Sequence, residues 1–316
     1  MLDRSALIDR VVVVLDPRKA YPEAAAADQA LARRDWPACR AVLDAADGAA
    51  RTTLIQILGE RPRIEPFLRE VLAADPSDSA AAAVLAVHLT RVAWRIRSTY
   101  QASLVTHRQF EGFRRRLVQA DQVLQAAISY APGDPAVWTA RLPVARGLEL
   151  GALESARRYA GLAAVDPHHL PGQLHRLVQL CPKWGGDWSQ VDAFVNEAVR
   201  DLPDGAPNHA LLAEAYIERA VGSVGDGHAD TTLDLQRAMY RAAERSIFHP
   251  EFCRTPGWVR AASSFALAFS LTGDRAQAGR AWAVLGRYAS AQPWTYLGDP
   301  RLAIRRTGIG RTWRTR

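Results

Sequence analysis

The chain has 316 residues, 48% of them hydrophobic, and a net charge of +7. That length suits one elongated repeat domain or two compact ones, and the apolar content is ample for a core. No apolar run approaches the roughly 20 residues that cross a bilayer, so no membrane partner is expected. The start, Met1, Leu2, Asp3, Arg4, carries neither a basic segment nor an apolar core with a cleavage site, and the expected address is cytoplasmic.

Cys39, Cys181 and Cys253 are scattered and form no Cys-x-x-Cys pair. This argues against a disulfide framework and a structural zinc site, and the three read as small buried hydrophobes. No metal or cofactor is expected. The basic excess is almost all arginine, because Lys19 and Lys183 are the only lysines. An Arg- and Ala-rich bias of this kind points to a GC-rich, actinobacterial genome. A retained lysine at position 183 hints that an ammonium is wanted there.

In chain order, residues 1–22 read as an N-terminal extension. Within it, residues 11–15 form a short β-branched run, expected as an extended segment or as a helix laid on the helical array. From 79 to 96, Val84, Leu85, Leu89, Val92, Trp94 and Ile96 give a broad apolar face, predicting a helix buried on two sides. From 107 to 131, Phe110, Phe113, Leu117, Ala120, Leu124, Ala127 and Ala131 fall in steps of three and four. That spacing predicts one amphipathic helix with Arg114, Arg115 and Arg116 mostly off its stripe. Trp138 then opens another helix, and Ala156, Tyr159 and Ala163 mark its partner. Leu212 and Tyr216 belong to a further unit, interrupted by a Gly-rich loop at 221–230. Helices are predicted over 258–271 and 276–288, with a turn at Gly273 and Asp274. Pro293 and Trp294 close the array, and residues 301–316 form a basic tail, frayed from 305 on.

Turn signals recur at Pro76, Pro132, Pro167, Pro203 and Pro250. Pro132 to Pro167 is 35 residues and Pro167 to Pro203 is 36, close to the tetratricopeptide period of about 34. Proline ends one helix and is tolerated in the first turn of the next. The pattern predicts an all-α chain in which residues 23–300 form an α-α superhelix of tetratricopeptide-like helix-turn-helix repeats.

Three segments carry a resemblance: Trp94, Arg95, Ile96, Arg97; then residues 131–138 ending in Trp138; then Cys181, Pro182, Lys183, Trp184, Gly185, Gly186, Asp187. In these the chain resembles uncharacterised actinobacterial, tetratricopeptide-like proteins that carry a domain of unknown function. The resemblance spans roughly residues 30–300. It implies an α-helical repeat fold and no activity. The repeats depart from the tetratricopeptide pattern in often lacking the usual glycine of the first helix.

Lys183, Trp184, Gly185 and Gly186 precede a helix that Asp187 or Ser189 can cap. They read either as a ligand-contacting turn or as a tight turn with Trp184 in the core. Glu214 and Glu218 lie one helical turn apart and share a face, and Arg97 is a possible partner for either. His168, His169 and His175 lack the spacing of a helical metal site. The Gly-rich stretch at 221–230 lacks the residues of a phosphate-binding loop. The arginines at 33–34, 114–116, 157–158 and 301–316 come with no nucleic-acid-reading motif.

The leading expectation is a binding or scaffold protein, not an enzyme, presenting a concave groove to a peptide or protein partner. The candidate contact residues are Trp94, Arg97, Trp138, Arg141, Lys183, Trp184, Glu214, Tyr216 and Glu218. The alternative is an enzyme of specialised metabolism with an internal polar pocket using Lys183, Arg97, Glu214 and Glu218. A nucleic-acid-associated protein is the weaker alternative.

Overall fold

The structure, a computed structural model, describes residues 13–98, 105–222 and 233–307. The described residues are helical, without a named strand. They divide into two compact units. One, the N-terminal unit, is Tyr21–Leu180 with Trp184–Gly186. The other, the C-terminal unit, is Asp187 onward with Cys181–Lys183 and the described part of the first twenty residues.

The N-terminal unit contains α1 (Pro22–Ala32), α2 (Trp36–Asp44), α3 (Gly48–Leu58), α4 (Glu65–Ala74), α5 (Ser79–Arg97), α6 (His107–Tyr130), α7 (Pro135–Gly147), α8 (Gly151–Val165) and α9 (Leu170–Leu180). Sequence neighbours α1 and α2, α5 and α6, and α7 and α8 pack as pairs. The short helix α3 is the hub. It touches α1, α2, α5, α7 and α9 and buries Thr52, Leu54, Ile55, Ile57 and Leu58. Helix α5 is buried over most of its girth, with an alanine run at 80–83 followed by Val84, Leu85, Ala86 and Leu89. The small residues let it lie between α3, α6 and α7. The helices expected at 79–96 and 107–131 are present as Ser79–Arg97 and His107–Tyr130, the latter burying Phe113, Leu117, Ala120, Leu124 and Ala127.

The helix starts are set by aspartates. The Asp78 carboxylate accepts from Ala81 N at 2.9 Å and from Trp36 Nε1 at 2.7 Å, and it pairs with Arg40 at 2.8 Å. The Asp134 carboxylate accepts from Ala136 N at 2.9 Å, Arg51 Nη1 at 2.8 Å and Ser79 Oγ at 2.7 Å. Each is buried. Each satisfies a free N–H of its own helix while fixing the neighbour's position.

The C-terminal unit contains α10 (Trp188–Val199), α11 (Ala210–Gly222), α12 (Leu233–Arg245), α13 (Trp258–Thr272), α14 (Arg275–Leu285), α15 (Ala291–Trp294) and α16 (Pro300–Thr307). Helix α13 is its hub, packed against α11, α14, α15 and α16 with Phe265, Ala266, Leu267, Ala268 and Phe269 fully enclosed. Glycines at positive φ bracket it, Gly257 at +115° and Gly273 at +80°. Val14 forms an isolated parallel bridge to Tyr288, with Val14 N donating to the Arg287 carbonyl at 2.8 Å. The start of the 11–15 run, the Gly-rich stretch from 223 and the tail from 308 lie outside the described residues. Residues 305–307 are helical in α16, not frayed, because Ala303 and Ile304 anchor its last turns in the core.

Replacing Asp134 by alanine removes a cap and leaves the partly buried Arg51 unpaired. Breaking a buried pair from one side costs about 3–5 kcal/mol, and a loss near the low end is expected because Arg51 retains some solvent. Asp75→Ala, at an exposed residue whose side chain bonds only within its own turn, should cost far less. Urea unfolding of the two variants checks the contrast.

Candidate functional site

The nine candidate contact residues fall into separate clusters. In the N-terminal unit, Trp94, Arg97 and Trp184 meet, joined by Arg146. The Trp94 and Trp184 rings are edge-to-face with centroids 6.4 Å apart. The Arg97 guanidinium lies 5.6 Å over Trp94, and that of Arg146 lies 5.4 Å over Trp184. Phe113 backs Trp94 at 4.9 Å. Arg146 also donates to the His175 carbonyl at 3.3 Å. Trp94, Arg97, Arg146 and Trp184 are all half-buried. Arg97 and Arg146 sit in the last turns of α5 and α7, where the carbonyl ends of the helices favour cations. Sequence reasoning missed Arg146. Its position in a last helical turn was the signal available.

Trp138 and Arg141 form a second N-terminal cluster, with the guanidinium 5.1 Å over the ring. Trp138 Nε1 donates to the Pro132 carbonyl at 2.8 Å. Gly161 makes room for the indole, since a Cβ there would lie 2.6 Å from the ring.

Lys183, Glu214, Tyr216 and Glu218 belong to the C-terminal unit. Arg97 is not the partner of either glutamate. Glu214 is held by Arg260, with Nη2 at 2.7 Å, and by the Ser264 hydroxyl. Glu218 accepts from Lys183 Nζ at 2.5 Å and from the Tyr296 hydroxyl at 2.5 Å. Lys183 Nζ also lies 5.0 Å over the Tyr296 ring. Both carboxylates are buried, while Lys183 is largely exposed. Burial, and then the nearby Glu218 and Glu214 charges, drive the Tyr296 phenol well above its ordinary range, so it stays a neutral donor. Tyr296 and Arg260 lie far along the chain from the glutamates, and no local spacing signals the pairing. Tyr216 is buried in the core of α11.

The turn at 182–188 is built for backbone reasons. Gly185 has φ +84°, a region that side chains with a Cβ avoid. Gly186 sits against the backbone of Leu180, and an added Cβ would collide with that carbonyl oxygen. Asp187 caps α10 by accepting from Gln190 N at 2.8 Å.

Four arginines of the basic segments, Arg34, Arg116, Arg157 and Arg158, are engaged within the protein. Arg34 pairs with Glu70, and Arg116 reaches Glu65 at 3.0 Å. Arg158 is buried, donating to Glu154 and Asp121 at 2.7 Å each. The Arg157 hydrogen bond, followed by Arg158, holds the Glu154 carboxyl at about 2. His169 Nδ1 lies 2.8 Å from the Asp166 carboxylate. Among the described residues no group of His, Cys, Asp and Glu could hold a metal ion. Cys39 and Cys181 are buried as expected, and burial pushes the Cys39 thiol up to about 12. Cys253 is exposed, in contrast to the expectation, because it lies in the loop before α13 rather than on a packed helix. No helix among the described residues is long and apolar enough to cross a membrane. Comparisons with protein-family profiles, curated proteins and solved structures returned no match.

Gly186→Ala should destabilise the fold by about 1–3 kcal/mol through overpacking against backbone, seen as a lowered urea midpoint. Glu154 has its folded pKa depressed from an ordinary 4.5 to about 2. Its contribution to stability is therefore complete above pH 4.5 and is lost as pH falls from there toward 2. Unfolding titrations across that window should show a shallower acid limb for Glu154→Gln than for the parent protein.

Proposed function

We propose that this chain is a binding protein of tetratricopeptide-like helical hairpins that takes an acidic peptide segment of a partner protein. The surface we assign is the aromatic and arginine cluster of Trp94, Arg97, Arg146 and Trp184. The observation that carries the reading is the convergence of two half-buried indoles, each with a guanidinium over its face. Aromatic and arginine side chains held in place by packing dominate binding energy at protein interfaces. Guanidinium groups add directional hydrogen bonds to carboxylates.

Helix packing in the N-terminal unit and the proline spacing support the repeat reading. Helix α3 packs against α5, α7 and α9. We therefore assign recognition to the C-terminal ends of α5 and α7 instead of a groove between first helices. Enzymatic use of Glu214 and Glu218 is disfavoured because each buried carboxylate is already engaged by its own cation and hydroxyl. A general base needs a lone pair within reach of its substrate.

The test is fluorescence anisotropy of the full chain with a library of labelled peptides, acidic against neutral, at two salt concentrations. Acidic peptides carrying an aromatic residue should bind. Trp184→Ala and Arg146→Met should each weaken binding about tenfold or more, the loss for an anchor of roughly 1.4 kcal/mol or above. Equal affinity for acidic and neutral peptides, or affinity unchanged in both variants, would overturn the assignment. A labelled single-stranded oligonucleotide binding more tightly than any peptide, with a steep salt dependence, would favour the nucleic-acid reading.

A further inference from the structure

Arg141 stands apart from the other buried cations of the N-terminal unit. It is 3% exposed, and its Nε is sealed from solvent with no hydrogen-bond partner. Nearby Arg158 shows what a satisfied buried arginine looks like. It is 1% exposed and donates to Glu154, Asp121 and the Arg141 carbonyl. Arg157 takes the remaining faces of Glu154 through two hydrogen bonds at 2.7 and 2.8 Å. The two acids of this neighbourhood are thus occupied by two arginines. Among the described residues no acid pairs with the third, and its guanidinium rests only on the face of Trp138.

A desolvated guanidinium without a counter-charge is unfavourable. Burial and the Arg158 charge both work against the ionised form. Arginine keeps its proton all the same, so the imbalance is one positive charge: Arg141, Arg157 and Arg158 against Asp121 and Glu154. A monoanion balances that count and a dianion overshoots it. A planar carboxylate matches the edge of the guanidinium fork, and the indole beside it offers a flat apolar wall. At 3% exposure Arg141 leaves little surface for a ligand, so we take the group to be small.

We propose that Arg141, with Trp138 as its wall, anchors a binding site for a single small carboxylate. This goes beyond the peptide surface at Trp94 and Trp184 and uses none of its residues. Free organic acids and the carboxylate of a peptide share the same chemistry. The test below distinguishes them.

The experiment is thermal unfolding and isothermal titration of the full chain with sodium acetate and sodium benzoate, against sodium chloride at matched ionic strength. A saturable rise in melting temperature with the carboxylates and not with chloride is expected. Arg141→Met should abolish that response while folding, since it removes an unpaired charge and keeps the hydrophobic stem. Arg141→Lys, which keeps the charge and loses the fork, should weaken carboxylate binding about tenfold. Arg115→Met, at an exposed arginine of α6, should leave the response unchanged. A short peptide with a free C-terminus and its amide form the second arm. Displacement of benzoate by the acid form alone assigns the site to a peptide carboxylate, and no displacement assigns it to the free acid. Identical shifts in the parent and both Arg141 variants, or none in the parent, would show that water alone serves Arg141 and would overturn the proposal. Because Trp184→Ala leaves this site intact, failure of the peptide surface and failure of the carboxylate site are separately visible.

Discussion

The N-terminal unit depends on aspartates that do two jobs at once. A helix start leaves backbone N–H groups without partners, and a short acidic side chain at the cap can accept one of them. Asp78 and Asp134 use the second oxygen, or the spare lone pairs of the first, to hold a side chain from an earlier helix. Asp78 thereby links the start of α5 to Trp36 and Arg40 of α2. Asp134 links the start of α7 to Arg51 of α3 and Ser79 of α5. Helix packing by ridges and grooves fixes angles only loosely. Charged caps that also reach sideways remove the remaining freedom at one end of each helix.

That arrangement has a consequence at the opposite end. With their starts pinned, α5 and α7 carry their last turns, and the cations Arg97 and Arg146, to a common region where Trp184 arrives from the turn after α9. The carbonyl ends of helices attract cations, and indole faces attract them as well. Both influences favour guanidinium groups over tryptophan rings. The same physics that packs the scaffold is what the proposed recognition would use.

Much of the helix pattern is legible in the sequence. The apolar steps at Phe113, Leu117, Ala120, Leu124 and Ala127 mark the buried face of α6, and Asp187 caps the helix it precedes. Periodicity is local, and so is capping. The site is legible only in fragments. Trp94, Arg97 and Trp184 stand out as residue types, but their meeting depends on the packing of α5 against its neighbours. The partners of Glu214 and Glu218 lie before α10, on α13 and beyond α15, dozens of residues away, and no spacing rule reaches that far. Helix α3 is the element least visible in the sequence. Its residues, with Thr52 and Thr53 among Leu54, Ile55, Ile57 and Leu58, form no clean amphipathic stripe, because a hub buried on several sides needs none.

The two arginines of adjacent helices, Arg141 and Arg158, show why burial alone does not identify a site. Both are enclosed to a similar degree. Arg158 is saturated by two carboxylates and a carbonyl, which makes it a cross-link between α6, α7 and α8. Arg141 has the stack on Trp138 and donors left over. A scaffold gains nothing from a nearly buried, unpaired charge that a methionine or leucine could replace at similar volume. The informative quantity is the number of donors that remain after every neighbour has been counted. By that measure the glutamates of the C-terminal unit are closed chemistry, whereas Arg141 is open.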